Sequence, residues 1–311
     1  MRYLAAWTLC ALLGACSSNP VDADSGNGGN GGNGGAASGG AVGSGGTTGS
    51  GTTGSGTTGS GASPAAGGLG GLGSFALPPL DASLDYQLGG AYEPPDGVSI
   101  LSRDRTVAPA VGLYNICYVN GFQIQPGEEG FWLEQHPDLV LRNESNEPII
   151  DADWNEVLID VGTDAKREAV AAIIGQWIVG CANDGFDAVE IDNLDSFSRS
   201  QDLLEEDDAV ATVRAFADVA HAHGLAIAQK NSAELVGRKA EMDTDFVVAE
   251  ECNTWGECDV YMEAYGQHVL VIEYVADDFT TGCAAFPELS IVLRDRDLVG
   301  PSSPNYVYDG C

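Results

Sequence analysis

Four apolar runs of β-strand type each finish on a charged or amide side chain. The runs occupy residues 187–192, 225–231, 245–250 and 268–273, and they finish on Asp192, on Lys230 with Asn231, on Glu250 and on Glu273. Segments with helical apolar spacing lie between them, and strands that alternate with helices predict a parallel sheet. In a parallel barrel the carboxyl ends of the strands converge on one mouth, so we expect these polar side chains to lie together there.

The whole pattern predicts about eight strands over about 235 residues, which is the size of a closed barrel. No Gly-x-Gly-x-x-Gly follows the first strand, so a dinucleotide-binding open sheet has little support. We therefore predict an α/β protein of the (β/α)8 TIM-barrel class. Residues 121–162 are predicted to be irregular and to form loops at the rim. The other predicted elements are strands at 84–88, 98–101, 114–120 and 289–293, helices at 165–183 and 205–223, and shorter helices before the runs at 245 and 268.

The N-terminus has the pattern of an export signal rather than of a folded segment. Arg2 precedes an apolar stretch at 3–13 that is too short to span a bilayer. Because small residues precede Cys16, we predict a lipoprotein signal peptide at 1–15 with lipidation of Cys16. The alternative is an ordinary cleaved signal peptide with an incidental cysteine. Either way we expect an exported protein, and with lipidation one that is anchored to the bacterial outer membrane or cell surface.

The segment at 16–75 consists almost entirely of Gly, Ser, Thr, Asn and Ala. Such a composition buries too little apolar area to offset the entropy of ordering, so a disordered linker is predicted. Residues 76–311 then form the TIM-barrel domain. The lipid anchor is the only expected contact with the membrane, and we expect a monomer.

The chain carries 46 Asp and Glu against 13 Lys and Arg, a formal net charge of −33 at pH 7. Nearly all of this charge lies in the predicted barrel, because only Arg2, Asp22 and Asp24 precede it. Nucleic acid is therefore excluded as a plausible partner, since a polyanion would be repelled. A cationic ligand would be attracted. The alternative is that the acidity serves only solubility or salt tolerance.

Six of the eight cysteines fall in the predicted barrel, and an even number in an exported chain suggests disulfides. The short loop that Cys252 and Cys258 would close makes them the first expected pair. Cys283 with Cys311 would hold the C-terminus, and Cys117 with Cys181 remains. A zinc site has less support because no Cys-x-x-Cys occurs, and no metal or cofactor is expected.

Five segments resemble glycoside hydrolase family 114, whose characterised activity is endo-α-1,4-polygalactosaminidase. The resemblance runs from about residue 84 to residue 311, and its most specific parts are 185–195 and 245–252 together. The family usually has Glu-Pro-Asp-Asn at 190–193 and Asn-Glu-Gln-Cys at 249–252, where this chain has Glu-Ile-Asp-Asn and Ala-Glu-Glu-Cys. The five segments are 85–88, 116–119, 185–195, 223–231 and 245–252 with Glu257 and Cys258.

The resemblance implies that Asp192 and Glu250 are the catalytic carboxylates, and their positions at strand ends agree with that role. We expect Asp192 to act as nucleophile or base and Glu250 as acid. Glu190 should point into the barrel one layer deeper than Asp192. Lys230 should pair with a carboxylate and hold it ionised. The expected substrate-binding residues are Gln87, Tyr118, Asn193, Asp195, Lys230, Asn231 and Glu273.

The predicted function is hydrolysis of an α-1,4-linked, cationic amino-sugar polysaccharide by two carboxylates. A first alternative is a metal-dependent lyase or isomerase, which a divalent ion held by Asp192, Glu250 and Glu273 would favour. A second is a barrel that binds carbohydrate without catalysis, which blocked access or diverging acids would favour. The sequence leaves open the exact sugar and its acetylation.

Overall fold

The computed structural model of the protein describes residues 74–311. The predicted signal peptide, the lipidation site at Cys16 and most of the predicted linker lie outside the described residues. Among the residues that are described, no helix combines the length and the hydropathy needed to span a bilayer.

Eight parallel strands form one sheet in which each strand pairs with the next barrel strand along the chain, and an antiparallel strand extends its last edge. A separate antiparallel pair, β4 with β5, lies in the segment predicted to be irregular. The strands are β1 (Leu84–Gln87), β2 (Ile100–Asp104), β3 (Tyr114–Asn120), β4 (Gln123–Ile124), β5 (Val157–Leu158), β6 (Ala188–Asp192), β7 (Ala226–Lys230), β8 (Phe246–Glu250), β9 (Val269–Glu273), β10 (Ser290–Arg294) and β11 (Tyr308–Gly310). The predicted TIM-barrel class is therefore confirmed.

The helices lie between the strands, as the predicted alternation requires. The α-helices are α1 (Asp164–Asp184), α2 (Glu206–Ala222), α3 (Lys239–Met242), α4 (Cys252–Trp255), α5 (Cys258–Tyr265) and α6 (Ala276–Ala285). Short 3₁₀ helices cover Pro137–Leu139, Leu194–Arg199 and Ala233–Arg238, and a π-helical turn covers Phe131–Gln135. The spans predicted for the two long helices differ from those observed by one residue at each end, whereas α4, α6 and β11 were not predicted.

Local sequence signals explain where the two long helices begin and end. The Thr163 hydroxyl accepts a hydrogen bond from the Lys166 N–H at the start of α1, and Gly185 ends that helix with a φ of 93°. Glycine adopts this left-handed conformation without the steric cost of a Cβ atom. The start of α2 is a reciprocal capping box between Glu205 and Asp208. Each long helix is thus bounded by residues that satisfy its terminal backbone groups.

Strand alternation divides the apolar residues between the barrel interior and the layer beneath the helices. Along β6, β7 and β8 the even-numbered positions face inward, because Ala188, Ala226, Ala228, Phe246 and Val248 belong to one buried interior cluster. The odd-numbered positions of these strands belong to two outer clusters, which the helices cover. The polar residues that end β6, β7 and β8 are even-numbered, so the same alternation directs them into the barrel mouth.

Three disulfides connect the described cysteines in the pairs expected from the sequence. Cys252 joins Cys258, Cys283 joins Cys311 and Cys117 joins Cys181. The first pair closes the turn that follows β8, the second ties the C-terminus to α6, and the third fastens β3 to α1. Disulfides of this kind form in oxidising compartments, which agrees with an exported protein.

A buried ion pair joins the first and last parallel strands. No backbone ladder links β1 to β10 among the described strands. Instead the Arg294 guanidinium, fully buried, lies 2.8 Å from the Asp85 carboxylate and donates a hydrogen bond to the Tyr86 carbonyl. Further donation to the carbonyls of Val299 and Val307 uses the rest of the guanidinium. One arginine therefore supplies the buried charged contact across the seam of the barrel.

We expect Arg294→Met to lower the free energy of unfolding by about 3–5 kcal/mol, because it leaves the Asp85 carboxylate buried without its cation. The matched control is Arg214→Met, which breaks an exposed pair with Asp218 and should cost no more than about 1 kcal/mol. Urea unfolding of both variants with the disulfides intact measures the two costs. Equal decreases in the unfolding free energy of the two variants would contradict a stabilising role for the Arg294–Asp85 pair.

Candidate active site

The last inward-facing residues of three neighbouring strands meet at the barrel mouth. They are Asp192 on β6, Lys230 on β7 and Glu250 on β8. These strands pair in parallel, so their carboxyl ends lie side by side about 4.8 Å apart. The two acids expected from the sequence and the lysine between them are therefore brought together by the order of the sheet.

The Lys230 ammonium lies between the carboxylates and contacts each of them. Its Nζ atom is 3.2 Å from Asp192 Oδ1, 3.1 Å from Glu250 Oε2 and 3.5 Å from Glu190 Oε1. Since one nitrogen contacts both, the nearest oxygens of Asp192 and Glu250 are separated by no more than roughly 6 Å, within the range seen for carboxylate pairs in glycosidases. The Lys230 side chain is 3% exposed, whereas those of Asp192 and Glu250 are 18% and 24% exposed. The acids are thus the members of this group that a ligand can reach.

Hydrogen bonds to Asp192 favour its ionised form. Burial raises the pKa of this carboxyl, but the Lys230 ammonium and hydrogen bonds from the Tyr118 hydroxyl (2.6 Å) and the Asn193 N–H (2.9 Å) outweigh burial and lower it below the usual range. For Lys230, burial disfavours the ammonium, yet Asp192, Glu250 and Glu190 outweigh it and raise the lysine pKa well above its usual value. An ionised aspartate beside a permanently charged lysine is the result.

Glu190 lies one layer deeper than Asp192 on the same face of β6, as predicted. It is fully buried and accepts hydrogen bonds from the Tyr86 hydroxyl at 2.5 Å and the Ser102 hydroxyl at 3.0 Å. Burial raises the pKa of Glu190, although Lys230 and these hydrogen bonds oppose the rise. With no access to a ligand, Glu190 supports Lys230 from beneath.

The residues immediately after the strands turn back toward the mouth. Asn193, Asn231 and Glu251 all have left-handed backbone conformations, with φ of 62°, 47° and 58°. This conformation is uncommon for non-glycine residues and ends each strand abruptly. Asn231 consequently exchanges two hydrogen bonds with Glu250, donating to its carboxylate (3.2 Å) and accepting from its N–H (2.7 Å). The Tyr274 hydroxyl donates to the other carboxylate oxygen of Glu250.

The side chains of Asp192, Lys230 and Glu250 line a cavity of about 220 Å³. Of the predicted site residues, Asp192, Glu250, Tyr118, Lys230, Asn231, Asn193 and Asp195 are among those that line it. The Asp195 carboxylate forms a bidentate ion pair with Arg199, at 2.7 and 2.8 Å. Other lining residues are Leu88, Trp154, Glu156, Arg199, Tyr274, Arg296 and Leu298.

Two of the expected binding residues lie elsewhere. Glu273 is odd-numbered on a strand whose inward residues are Leu270 and Ile272, so it points out of the barrel and accepts a hydrogen bond from the Asn253 N–H at 2.9 Å. Burial raises its pKa to about 7. Gln87 on β1 also points out of the barrel. Its amide donates a hydrogen bond to the Asp85 carboxylate and accepts one from the Arg103 guanidinium. Neither residue lines the cavity, so placing them in the mouth was wrong.

Several lining residues had no signal in the strand pattern. Glu156 and Trp154 come from the segment predicted to be irregular, and Arg199 from the short helix after β6. Tyr274 immediately follows β9 and packs against the interior cluster. Counting alternate residues from the apolar interior positions of β9 would have identified Tyr274 instead of Glu273.

The ligand set proposed for a metal-dependent enzyme does not converge. Glu273 faces away from Asp192 and Glu250, and the Lys230 ammonium lies between those two acids. Within residues 74–311, no group of three or more His, Cys, Asp or Glu side chains has the arrangement of a metal site. The features expected of an idle binding barrel are also missing, because both acids line one cavity and are partly exposed.

Comparison with solved structures finds the same fold in a fungal protein and in a bacterial glycoside hydrolase domain. Ega3 from Aspergillus fumigatus, in complex with galactosamine, is 20% identical with a TM-score of 0.60, covering 76% of this chain and 98% of that one. The glycoside hydrolase domain of PelA from Pseudomonas aeruginosa is 16% identical with a TM-score of 0.50, covering 72% of this chain and 97% of that one.

A search of curated proteins gave no match. The sequence pattern of glycoside-hydrolase family GH114 matches residues 71–311, which include the barrel and all the residues of the cavity. The chain therefore belongs to glycoside-hydrolase family GH114.

Proposed function

We propose that this protein is an endo-acting glycosidase that cleaves an α-1,4-linked polymer of galactosamine, with Asp192 and Glu250 as its catalytic residues. The observation that carries the proposal is that both carboxylates contact one ammonium group in a cavity at the barrel mouth. Family membership supplies the reaction class, and the site supplies the pair of acids that this reaction requires.

Asp192 is the nucleophile in this proposal, because its environment favours the ionised form. Attack of an Asp192 oxygen on the anomeric carbon breaks the glycosidic bond, while Glu250 donates its proton to the departing oxygen. The product of this step is a glycosyl ester on Asp192 with Glu250 ionised. Glu250 then removes a proton from water, which attacks the anomeric carbon, releases Asp192 and restores the proton on Glu250.

The separation of the two acids favours retention of anomeric configuration. Retaining enzymes hold their carboxyl groups about 5–5.5 Å apart, and inverting enzymes about 6.5–9.5 Å apart to admit a water molecule. The limit of roughly 6 Å between the nearest oxygens of Asp192 and Glu250 lies nearer the retaining case. Lys230 supports this arrangement by attracting both acids and keeping Asp192 ionised.

A cationic substrate agrees with the charge of the protein. The formal net charge of −33 produces a field that attracts a polymer of free amino sugars and repels polyanions. We further propose that the chain is exported and anchored through a lipid on Cys16, with residues 16–75 as a disordered linker. The three disulfides support export, because such bonds form in oxidising compartments.

The proposed activity is tested by incubating the full chain with a deacetylated and an N-acetylated α-1,4-galactosamine polymer. We expect internal cleavage, seen by mass spectrometry as a ladder of oligomers, with new reducing ends that appear first as the α-anomer in NMR spectra. Release of no oligomers from either polymer would contradict the substrate, and first appearance of the β-anomer would contradict the retaining mechanism.

Glu250→Gln should lower kcat by roughly 10²–10⁴-fold while leaving affinity for the polymer nearly intact, because the amide has almost the same shape but cannot transfer the proton. The control is Glu251→Gln, one residue further along the chain, whose carboxylate does not line the cavity and pairs with Arg296 at its edge. Steady-state kinetics on one polymer compare the two. If both variants lose activity equally, the assignment of Glu250 as the acid is wrong.

Tyr118→Phe should move the acidic limb of the kcat/KM profile to higher pH. The hydroxyl stabilises the ionised form of Asp192, so its removal raises the pKa of Asp192, and the active ionised form is lost sooner as the pH falls. Tyr114→Phe is the control. Tyr114 lies at the other end of β3, and its hydroxyl donates a hydrogen bond to the Ala76 carbonyl. An unshifted limb in Tyr118→Phe would show that another group controls it.

A further inference from the structure

Four acidic side chains line the cavity, and three of them already have a cationic partner. Asp192 and Glu250 contact Lys230, and Asp195 pairs with Arg199. The fourth acid, Glu156, forms no ion pair with any Lys, Arg or His among residues 74–311. The remaining lining cation, Arg296, is committed to Glu251. The cavity therefore contains one carboxylate that the protein leaves without a countercharge.

The position of Glu156 is fixed by a short network. Its Oε2 atom accepts a hydrogen bond of 3.0 Å from the Asn120 amide, whose own oxygen accepts from the Gln123 N–H at 2.9 Å. The Glu156 carbonyl also accepts from the Asp151 N–H at 2.8 Å. One carboxylate oxygen is thus occupied by the protein, and the side chain stands on an anchored hairpin rather than on an irregular loop.

The network places Glu156 next to the reacting centre. Asn120 ends β3 and is paired in register with Asp192, which ends the neighbouring strand. Neighbouring strands lie about 4.8 Å apart, so the residue that holds Glu156 is one strand away from the proposed nucleophile. A sugar beside the one being cleaved would therefore meet Glu156. Trp154, 68% exposed, lines the same cavity and offers an apolar surface to a sugar there.

The electrostatic surroundings of Glu156 call for a cation. Burial raises its pKa to about 7, with the Asn120 hydrogen bond opposing the rise and with Asp192, Asp151 and Glu128 adding to it. Each of these three acids contacts a cation, Lys230, Arg199 and Arg105 respectively, although Lys230 and Arg199 are shared with other acids. Burial and the neighbouring acids both disfavour the ionised form of Glu156. A positively charged ligand would stabilise the ionised carboxylate against both effects.

We propose that Glu156 is the specificity-determining residue that binds the ammonium group of a hexosamine unit adjacent to the cleaved bond, and thereby selects deacetylated over N-acetylated polymer. This inference rests on the proposed function, because it assumes an amino-sugar chain in the cavity. An N-acetyl group is uncharged and bulkier, so it cannot supply the missing countercharge and leaves the carboxylate partly desolvated.

The test compares Glu156→Gln with Glu168→Gln in the full chain. Both replace a glutamate by its amide, but Glu168 is exposed on α1 far from the cavity lining. At pH 7 we expect Glu156→Gln to lower the ratio of kcat/KM on deacetylated to that on N-acetylated polymer by about tenfold or more, mainly through KM. Glu168→Gln should leave that ratio unchanged. Equal losses on both polymers, or an unaltered ratio, would overturn the inference.

A binding measurement separates this inference from the proposed activity. Calorimetric titration of Glu250→Gln and of Glu250→Gln with Glu156→Gln uses a deacetylated and an N-acetylated galactosamine oligomer. We expect the second substitution to weaken binding of the deacetylated oligomer about tenfold more than that of the N-acetylated one. Equal weakening, or none, would overturn the role of Glu156 whether or not the wild-type chain cleaves either polymer. Failure of cleavage with a preserved difference in binding would contradict only the proposed reaction.

Discussion

The ammonium of Lys230 is the interaction on which the site depends. It is almost fully buried and contacts three carboxylates, which would repel one another without it. A lysine in this position tolerates burial only because the surrounding acids favour its charge, and the acids tolerate their proximity only because of the lysine. The arrangement is therefore reciprocal: the same contacts that make the lysine permanently charged keep Asp192 ionised and Glu250 nearby.

The order of the strands in the barrel brings Lys230 and its carboxylate partners together. β6, β7 and β8 are neighbours, so a carboxylate, an ammonium and a second carboxylate follow one another around the mouth. Tyr86 and Glu190 fill the layer beneath, and the Arg294 to Asp85 pair holds the seam on the opposite side. Parallel strands thus position the two carboxylates. The lining residues Glu156 and Trp154 do not belong to the parallel strands and lie in the segment between β4 and β5.

The sequence was sufficient to predict the barrel, the disulfide pairs and the central group of the site, because each follows from a short-range pattern. Alternation within β6, β7 and β8 correctly gave Asp192, Lys230 and Glu250 a common face. The strand-end pattern also led to Glu273, but that residue ends its strand on the outward side, and only the alternation of the interior residues Leu270 and Ile272 reveals this. Glu156 was beyond prediction, since its side chain is positioned by Asn120, which lies on a different strand and is distant in the sequence.

The distribution of charge connects the proposed catalytic pair with the proposed recognition of the polymer. Most acids of the mouth share Lys230 or Arg199 as an internal partner, whereas the large negative charge of the protein acts at long range and does not by itself distinguish one amine from another. Selection between a free and an acetylated amine requires a carboxylate at short range, held still and lacking a countercharge. Glu156 meets each of these conditions one strand away from Asp192, and it does so without disturbing Lys230, whose charge is already shared among its own carboxylates. In the proposed function, recognition and chemistry therefore belong to different acids: Asp192 and Glu250 contact Lys230, whereas Glu156 forms no ion pair among residues 74–311.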